Sequence, residues 1–221
     1  MLNYKLVGKV AVIGLDDGKA NAVGHGFIDA VNEGLDQALQ EASGALITGR
    51  PGVFSAGFDL KEFEKGPGAT NALVNKGADM LLRIFRHPQP VVTACAGHAV
   101  AAGAFTLLAS DVRIGTAGEF KIGLNETAIG MTLPVFGIQL AQARLSKRWQ
   151  TRCAVQGELL DPADAQAAGF LDLVVDADTL FDRALSQASE LAELPTPAYA
   201  ANKLAMREPF IQAIKASLPI Q

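Results

Sequence analysis

The hydrophobic positions of this chain fall into short strand-like runs separated by longer stretches with helical spacing. Apolar residues dominate Val10–Leu15, which predicts a strand, and in the next stretch they recur every three or four residues, which predicts a helix. Further strands are predicted at Ala45–Thr48, Pro90–Cys95, Asp111–Gly115 and Leu171–Val175. Gly66–Gly68 predicts a surface loop ahead of a helix over Leu73–Phe85. Strands that alternate with helices indicate an α/β fold with a parallel sheet.

The last third of the chain is almost entirely helical in its pattern. Asp161 begins one helix, because aspartate is a favourable N-cap and the proline that follows it fits the first turn. Pro195 and Pro197 then interrupt the helical pattern. We therefore predict a core over residues 1–195 and a C-terminal helical extension over residues 196–221.

Composition narrows the class of protein. The 221 residues are 49% apolar and 19% charged, which is typical of a folded globular chain. A net charge of −4 gives no basic footprint for nucleic acid. Cys95 and Cys153 are too few for a zinc site or a disulfide framework, so we expect no metal and a reducing, cytoplasmic compartment. The apolar run Val91–Ala109 contains Gly97 and Gly103 and fits strand, loop and helix better than a membrane span.

Two glycine-containing segments, Phe54–Leu60 and Gly97–Gly103, carry the first candidate chemistry. Each joins a predicted strand to the start of a predicted helix, where backbone N–H groups are exposed. Two such groups that converge on one oxygen would form an oxyanion hole. Spacing alone favours a simpler interpretation, in which the small residues form tight turns and allow close packing. Ser55 lies in the first segment, but no histidine is in a context that suggests a partner base.

Glu126 is the only acid in the apolar stretch Ile122–Pro134. A carboxylate in an apolar site beside a polarised carbonyl can move a proton on the neighbouring carbon. The alternative is a structural carboxylate that caps a short helix. The adjacent Asn125 could orient Glu126 or cap that helix itself.

Taken together and in order, these segments, with Asp111–Ile114 and the helix from Asp161, resemble the crotonase (enoyl-CoA hydratase/isomerase) superfamily. The resemblance implies a crotonase-like (ClpP/crotonase) α/β fold with a helical C-terminal region, assembled as homotrimers or hexamers. It also implies an acyl-CoA substrate, with CoA entering as part of the substrate and no separate cofactor.

The resemblance assigns roles to individual positions. The backbone N–H groups of Ala56 and Ala102 correspond to the oxyanion donors, although the family usually has glycine at the second position, so that the Ala102 methyl would narrow the pocket. Gly103 and Phe105 correspond to the substrate pocket. The positions that match the nucleotide and pantetheine site of CoA are Ala20, Ala22, Phe58, Asp59 and Leu60.

The number of glutamates at the site distinguishes the activities within the family. Hydratases of the family resemble each other in using two glutamates, of which this chain has Phe105 at the first position and Glu126 at the second. One carboxylate in a dry pocket suits proton transfer between two carbons, as in 3-enoyl-CoA to 2-enoyl-CoA isomerases, which the stretch Gly123–Thr127 also resembles. Three alternatives remain open: a hydratase of low efficiency, another CoA-thioester reaction such as decarboxylation or hydrolysis, and a CoA-thioester binder without turnover.

Overall fold

The computed structural model describes residues 2–218. The strands are β1 (Leu2–Val7), β2 (Val10–Leu15), β3 (Gly44–Thr48), β4 (Gly52–Ser55), β5 (Val91–Cys95), β6 (Gly97–Val100), β7 (Val112–Thr116), β8 (Ile122–Gly123), β9 (Leu159–Leu160) and β10 (Leu173–Val175). The α-helices are α1 (His25–Glu41), α2 (Leu60–Phe63), α3 (Pro67–Phe85), α4 (Ala102–Ala109), α5 (Val135–Arg144), α6 (Lys147–Gln150), α7 (Pro162–Ala168), α8 (Leu180–Ala192) and α9 (Thr196–Ser217). A 3₁₀ turn covers Thr127–Ile129, and a π-helical turn covers Thr151–Val155.

Six strands form the main sheet, in the order β1-β2-β3-β5-β7-β10. Only β1 runs antiparallel to its neighbour; β2, β3, β5, β7 and β10 are parallel. The predicted α/β class is therefore confirmed. The sequence analysis did not identify β1, because its residues are mostly polar or exposed at this edge of the sheet.

Helices cover both faces of this sheet, and strand β2 shows why. Successive side chains of a strand point to opposite faces. Ala11 and Ile13 accordingly join the larger part of the core, to which α1, α3 and α4 contribute. Val10 and Val12 pack in a second cluster with the buried alanines of α8.

Four short strands form a second sheet, in the order β4-β6-β8-β9. The first three are parallel, and β9 is antiparallel to β8. Since parallel strands end at a common edge, the segments that follow β4, β6 and β8 emerge on the same side of the protein. This edge brings together the parts of the chain that the motifs singled out.

Two local predictions were wrong. Gly66–Gly68 is not a surface loop, because α3 begins at Pro67, where the fixed φ of proline fits the first helical turn. The segment between Gly97 and Gly103 is not a continuous loop either, since Gly97–Val100 forms β6. The predicted start of α7 is correct, as the Asp161 carboxylate accepts a hydrogen bond from the Asp164 N–H at 2.9 Å.

The C-terminal helix α9 is fastened to the core by buried charged groups. The Lys203 ammonium donates to the carbonyls of His87 and Gln89 and to the Asp111 carboxylate. Residues 219–221 of the predicted extension lie outside the described residues. The boundary between core and extension stays a prediction. No helix within residues 2–218 is long and apolar enough to cross a membrane.

Candidate active site

Three segments meet at the carboxyl edge of the smaller sheet. They follow Ser55 at the end of β4, Val100 at the end of β6 and Gly123 at the end of β8. The Ala101 N–H donates to the Gly123 carbonyl at 2.9 Å, which ties the second segment to the third. The segment that carries Glu126 therefore begins beside the N-terminus of α4.

The loop around residues 20–23 lies alongside the loop around residues 56–59. The Val23 N–H donates to the Gly57 carbonyl at 2.7 Å, and the Asp59 N–H donates to the Val23 carbonyl at 3.3 Å. The structure thus brings together the positions assigned to the CoA site, which are Ala20, Ala22, Phe58, Asp59 and Leu60. Leu60 is 62% exposed, so it offers apolar surface to a ligand. Asp59 also has a structural role, because its carboxylate caps α2 by accepting from the Lys61 N–H.

Asn21 is a supporting residue that the sequence analysis did not assign. It is fully buried in the left-handed region at φ 48°. Its amide nitrogen donates to the Leu15 carbonyl at 2.9 Å, and its amide oxygen accepts from the Asp17 N–H at 2.9 Å. Its own backbone carbonyl accepts from the Ser55 hydroxyl at 2.7 Å. Ser55 is buried and engaged in this way, so it acts as a structural hydroxyl that fastens the two loops and not as a nucleophile.

The Ala56 amide does not fit the donor role assigned to it. Its N–H already donates to the Ala20 carbonyl at 3.0 Å. Phe58 pairs with Val23 in a parallel β-bridge. The two hydrogen bonds of this bridge join Val23 to the Gly57 carbonyl and to the Asp59 N–H, and not to Phe58 itself. Because amides alternate in direction along an extended segment, the Phe58 N–H points away from Val23, and it has no acceptor within residues 2–218. Phe58 therefore replaces Ala56 as the candidate first donor.

The second donor, Ala102, is the first residue of α4, and its N–H is one of those left unpaired at a helix N-terminus. The two loops approach closely here, since a Cβ on Gly57 would lie 3.7 Å from the Ala102 nitrogen. Gly57 has φ +99°, and Ala101 is held at φ +50°, a conformation that costs a non-glycine residue about 1–3 kcal/mol. Such strain is common where backbone groups are positioned for function. The Ala102 side chain is buried in the core, which does not support the prediction that its methyl narrows the pocket.

Glu126 immediately precedes the 3₁₀ turn and is only 6% exposed. Its side chain makes no capping hydrogen bond, so the alternative interpretation as a helix cap is wrong. The side-chain oxygen Oε2 is buried without a hydrogen-bond partner in the described part of the chain. Burial raises the pKa of the Glu126 carboxyl above its ordinary value. A buried acceptor without a partner is costly in a stable fold and is expected at a site that awaits a ligand.

Phe105 and Gly103 are packing residues in this structure. The Phe105 ring is 1% exposed and contacts Phe136 edge-on, with the ring centroids 5.5 Å apart. A Cβ on Gly137 would lie 2.6 Å from this ring, so the glycine makes room for the phenylalanine. A Cβ on Gly103 would collide with the Ser55 carbonyl, so this glycine allows α4 to lie against β4. The position of the missing hydratase glutamate is thus filled by packed aromatic side chains.

An apolar pocket of about 540 Å³ lies beside the turn that follows Glu126. Its walls include Met131, Ile138 and Val155, of which the last belongs to the π-helical turn. It can accommodate an aliphatic group. Within residues 2–218, no three His, Cys, Asp or Glu side chains are grouped as metal ligands.

Known proteins resemble this chain in sequence and in structure. The family model described as enoyl-CoA hydratase/isomerase matches residues 6–220. The crystal structure of an enoyl-CoA hydratase/isomerase family protein from Pseudomonas syringae superposes with a TM-score of 0.95 at 42% identity, covering 98% of this chain and 94% of that chain.

Two curated relatives carry different activities in their names. Human mitochondrial enoyl-CoA delta isomerase 1 is 29% identical over 204 residues, which are 90% of this chain and 68% of the human protein. The 2,3-dehydroadipyl-CoA hydratase of Escherichia coli is 31% identical over 196 residues, which are 87% of this chain and 75% of that protein. The crotonase-like fold and the resemblance inferred from the sequence are confirmed, and the chain belongs to the enoyl-CoA hydratase/isomerase family.

Proposed function

We propose that this chain is an enoyl-CoA isomerase that moves the double bond of a 3-enoyl thioester to the 2-position. The observation that carries this proposal is Glu126, a buried carboxylate with an oxygen that lacks a hydrogen-bond partner within residues 2–218, on a segment that begins beside the N-terminus of α4. The chemistry needs one base that can also return the proton as an acid.

In the proposed mechanism, the Glu126 carboxylate takes a proton from C2 of the substrate. The electron pair of that C–H bond moves into the thioester and leaves a dienolate, whose negative charge is shared with C4. The protonated Glu126 then returns the same proton to C4, so that the double bond lies between C2 and C3. The raised pKa of Glu126 makes its carboxylate a stronger base and brings its acid form closer to neutral pH.

The dienolate oxygen would accept hydrogen bonds from the Phe58 and Ala102 amides. Fixed backbone donors cost no reorganisation during the reaction, and each such donor is worth about 3–4 kcal/mol of barrier. Ala102 also opens α4, so the positive end of the helix dipole faces the developing charge. The rest of CoA would lie along Ala20, Ala22, Asp59 and Leu60, with the acyl chain directed to the pocket beside Met131.

Phe105 favours isomerisation over hydration. A hydratase must hold and activate a water molecule in addition to moving a proton. The buried Phe105 ring provides neither a base nor a hydrogen bond for water at the position where hydratases of the family have a glutamate. As part of the same proposal, the chain acts as a homotrimer or a hexamer.

The test follows the ultraviolet absorbance of purified protein with a 3-enoyl-CoA and, separately, with a 2-enoyl-CoA. We expect absorbance to rise with the first substrate as the conjugated thioester forms, and to stay constant with the second. Loss of conjugation from the 2-enoyl-CoA would mean hydration and would contradict the argument from Phe105. No change with either substrate would contradict the proposed isomerase activity.

A further inference from the structure

A second pocket, of about 300 Å³, lies where α9 meets the core, beside the amino ends of β5 and β7. Its polar wall contains Arg144 from α5 and Lys203 and Arg207 from α9, around the carboxylate of Asp111. These residues belong to a different edge of the protein from Glu126, and the proposed isomerisation does not use them.

The charges around this pocket do not balance. Asp111 accepts from the Lys203 ammonium at 2.6 Å, from the Arg207 guanidinium at 2.7 Å and from the Val91 N–H at 2.7 Å, so its two oxygens are engaged. Among residues 2–218 it is the only carboxylate in the pocket wall, against three cations.

Helix ends compensate part of the remaining charge. Arg207 donates to the carbonyl of Phe85, the last residue of α3. Arg144 donates to the carbonyls of Leu108 and Ser110 at the end of α4. Each helix C-terminus carries about half a negative charge. Three cations, one carboxylate and two half-charges leave an excess of about one positive charge.

One donor group in the pocket also lacks an acceptor within residues 2–218. The Lys203 ammonium uses all three of its N–H groups. The Arg144 guanidinium bonds through Nε and Nη2, whereas its Nη1 has no acceptor within residues 2–218 and is not fully enclosed. Burial and neighbouring cations lower the pKa of Arg144 to about 9, which fits a site short of negative charge. Asn202 adds an amide to the same wall.

We propose that this pocket binds a small organic carboxylate. An excess of one positive charge suits a monoanion, and the flat fork of a guanidinium suits a carboxylate. The apolar part of the ligand would contact Phe210 and the side chain of Met206, which is 81% exposed at the pocket. The volume is at the small end of the range for ligand pockets, so the acyl chain must be short.

The methionine methyl groups give a direct test. We would record ¹³C-methyl methionine spectra of the intact protein during titration with butanoate and, as an uncharged isostere, with butanamide. Butanoate is expected to shift the Met206 methyl signal saturably and to leave the signals of Met80 and Met131 in place, since neither lines this pocket. Butanamide is expected to bind at least tenfold more weakly. The absence of a saturable Met206 shift, or equal binding of the amide, would overturn the proposal.

Variants check the role of the arginine. Arg144→Met removes the charge and keeps an apolar stem, and we expect it to weaken butanoate binding at least tenfold. Arg148→Met is the matched control, because Arg148 is exposed on α6 outside the pocket, and it should bind butanoate as the unmodified protein does. If Arg144→Met fails to fold, Arg144→Lys keeps the charge and should weaken binding by a smaller factor. Unchanged affinity in the folded Arg144 variant would contradict the proposal. The readout does not depend on isomerase activity, so the two proposals fail separately.

Discussion

Glu126 and Asp111 are two acidic residues with buried carboxylates and opposite surroundings. Glu126 is buried and has an oxygen without a hydrogen-bond partner within residues 2–218, whereas the Asp111 carboxylate is buried and accepts from two cations and a backbone N–H. In the loops that lead to the candidate donors, Ala101 is held at a positive φ that is costly for a non-glycine residue. Around Asp111 the interactions join α9 to β5 and to the end of α3. A carboxylate that stabilises the fold has its hydrogen-bond and ion-pair partners within the fold. A carboxylate that reacts with a substrate keeps an oxygen free of such partners.

The largest effect is expected for Glu126→Gln, which keeps the size of the side chain and removes the base. We expect the isomerase turnover rate to fall about 10²- to 10⁴-fold, because no other acid lies in the stretch from Ile122 to Pro134. The ultraviolet assay measures this, and affinity for the substrate should persist. The exposed Glu33 on α1 is the control, as Glu33→Gln should keep full activity. Full activity in Glu126→Gln would show that another group moves the proton.

Asp111→Asn should mainly reduce stability, whereas Glu126→Gln should mainly reduce activity. Removing the negative charge leaves Lys203 and Arg207 buried without their counterion, which typically costs about 3–5 kcal/mol. Denaturant unfolding measures the change in free energy. Asp178→Asn, at an exposed position, should change it by less than about 0.5 kcal/mol. Equal stabilities of the two variants would mean that Asp111 does not hold α9 in place.

Gly57→Ala tests whether activity depends on the positions of the Phe58 and Ala102 amides. A methyl group at φ +99° would lie 3.0 Å from the Ala101 Cβ and would displace the Phe58 or Ala102 amide. Loss of one oxyanion donor predicts an activity decrease of about 100-fold. Gly68→Ala is the control, because a Cβ there meets nothing within 4 Å, and it should leave activity unchanged. Equal activity of both variants would argue against donors at this position.

The smallest effect is a change in how stability depends on pH. The folded state raises the pKa of Glu126, so the stability that the protonated carboxyl contributes is present below its unfolded pKa and is lost as pH rises through the folded pKa. Glu126→Gln, which cannot ionise, should therefore be more stable than the unmodified protein at pH 8. The difference should vanish near pH 4. Thermal unfolding across this range measures it, and a pH-independent difference would mean that ionisation of Glu126 is not the cause.

The sequence predicted the elements whose signals are local. The bounds of β2, Val10–Leu15, are as predicted, because its apolar pattern is continuous. Asp161 caps α7, and the N–H group that its carboxylate binds is only three residues further along the chain. Glu126 was identifiable as an acid in an apolar stretch, and the structure places it in a buried position. In each case the signal that predicts the feature comes from residues close in the chain.

The features that the sequence analysis did not predict depend on contacts between residues far apart in the chain. Whether the Ala56 or the Phe58 amide is free depends on the pairing of this loop with Ala20 and Val23, more than thirty residues earlier. The buried Asn21 and the junction of Asp111 with Lys203, 92 residues apart, likewise leave no local pattern. A strand such as β1, in which no residue is fully buried, gives too weak an apolar signal to be recognised.

The most direct test of the central claim, that one carboxylate moves one proton, is isotope transfer. A 3-enoyl-CoA deuterated at C2 would be converted in ordinary water by excess enzyme in a single turnover, and the product examined by mass spectrometry. Because Glu126 is buried and its Oε2 has no hydrogen-bond partner within residues 2–218, we expect a substantial fraction of the deuterium to reappear at C4. A product that is isomerised but carries hydrogen from water at C4 in every molecule would contradict the account, because a Glu126 carboxyl closed off from water should keep its deuteron within a single turnover.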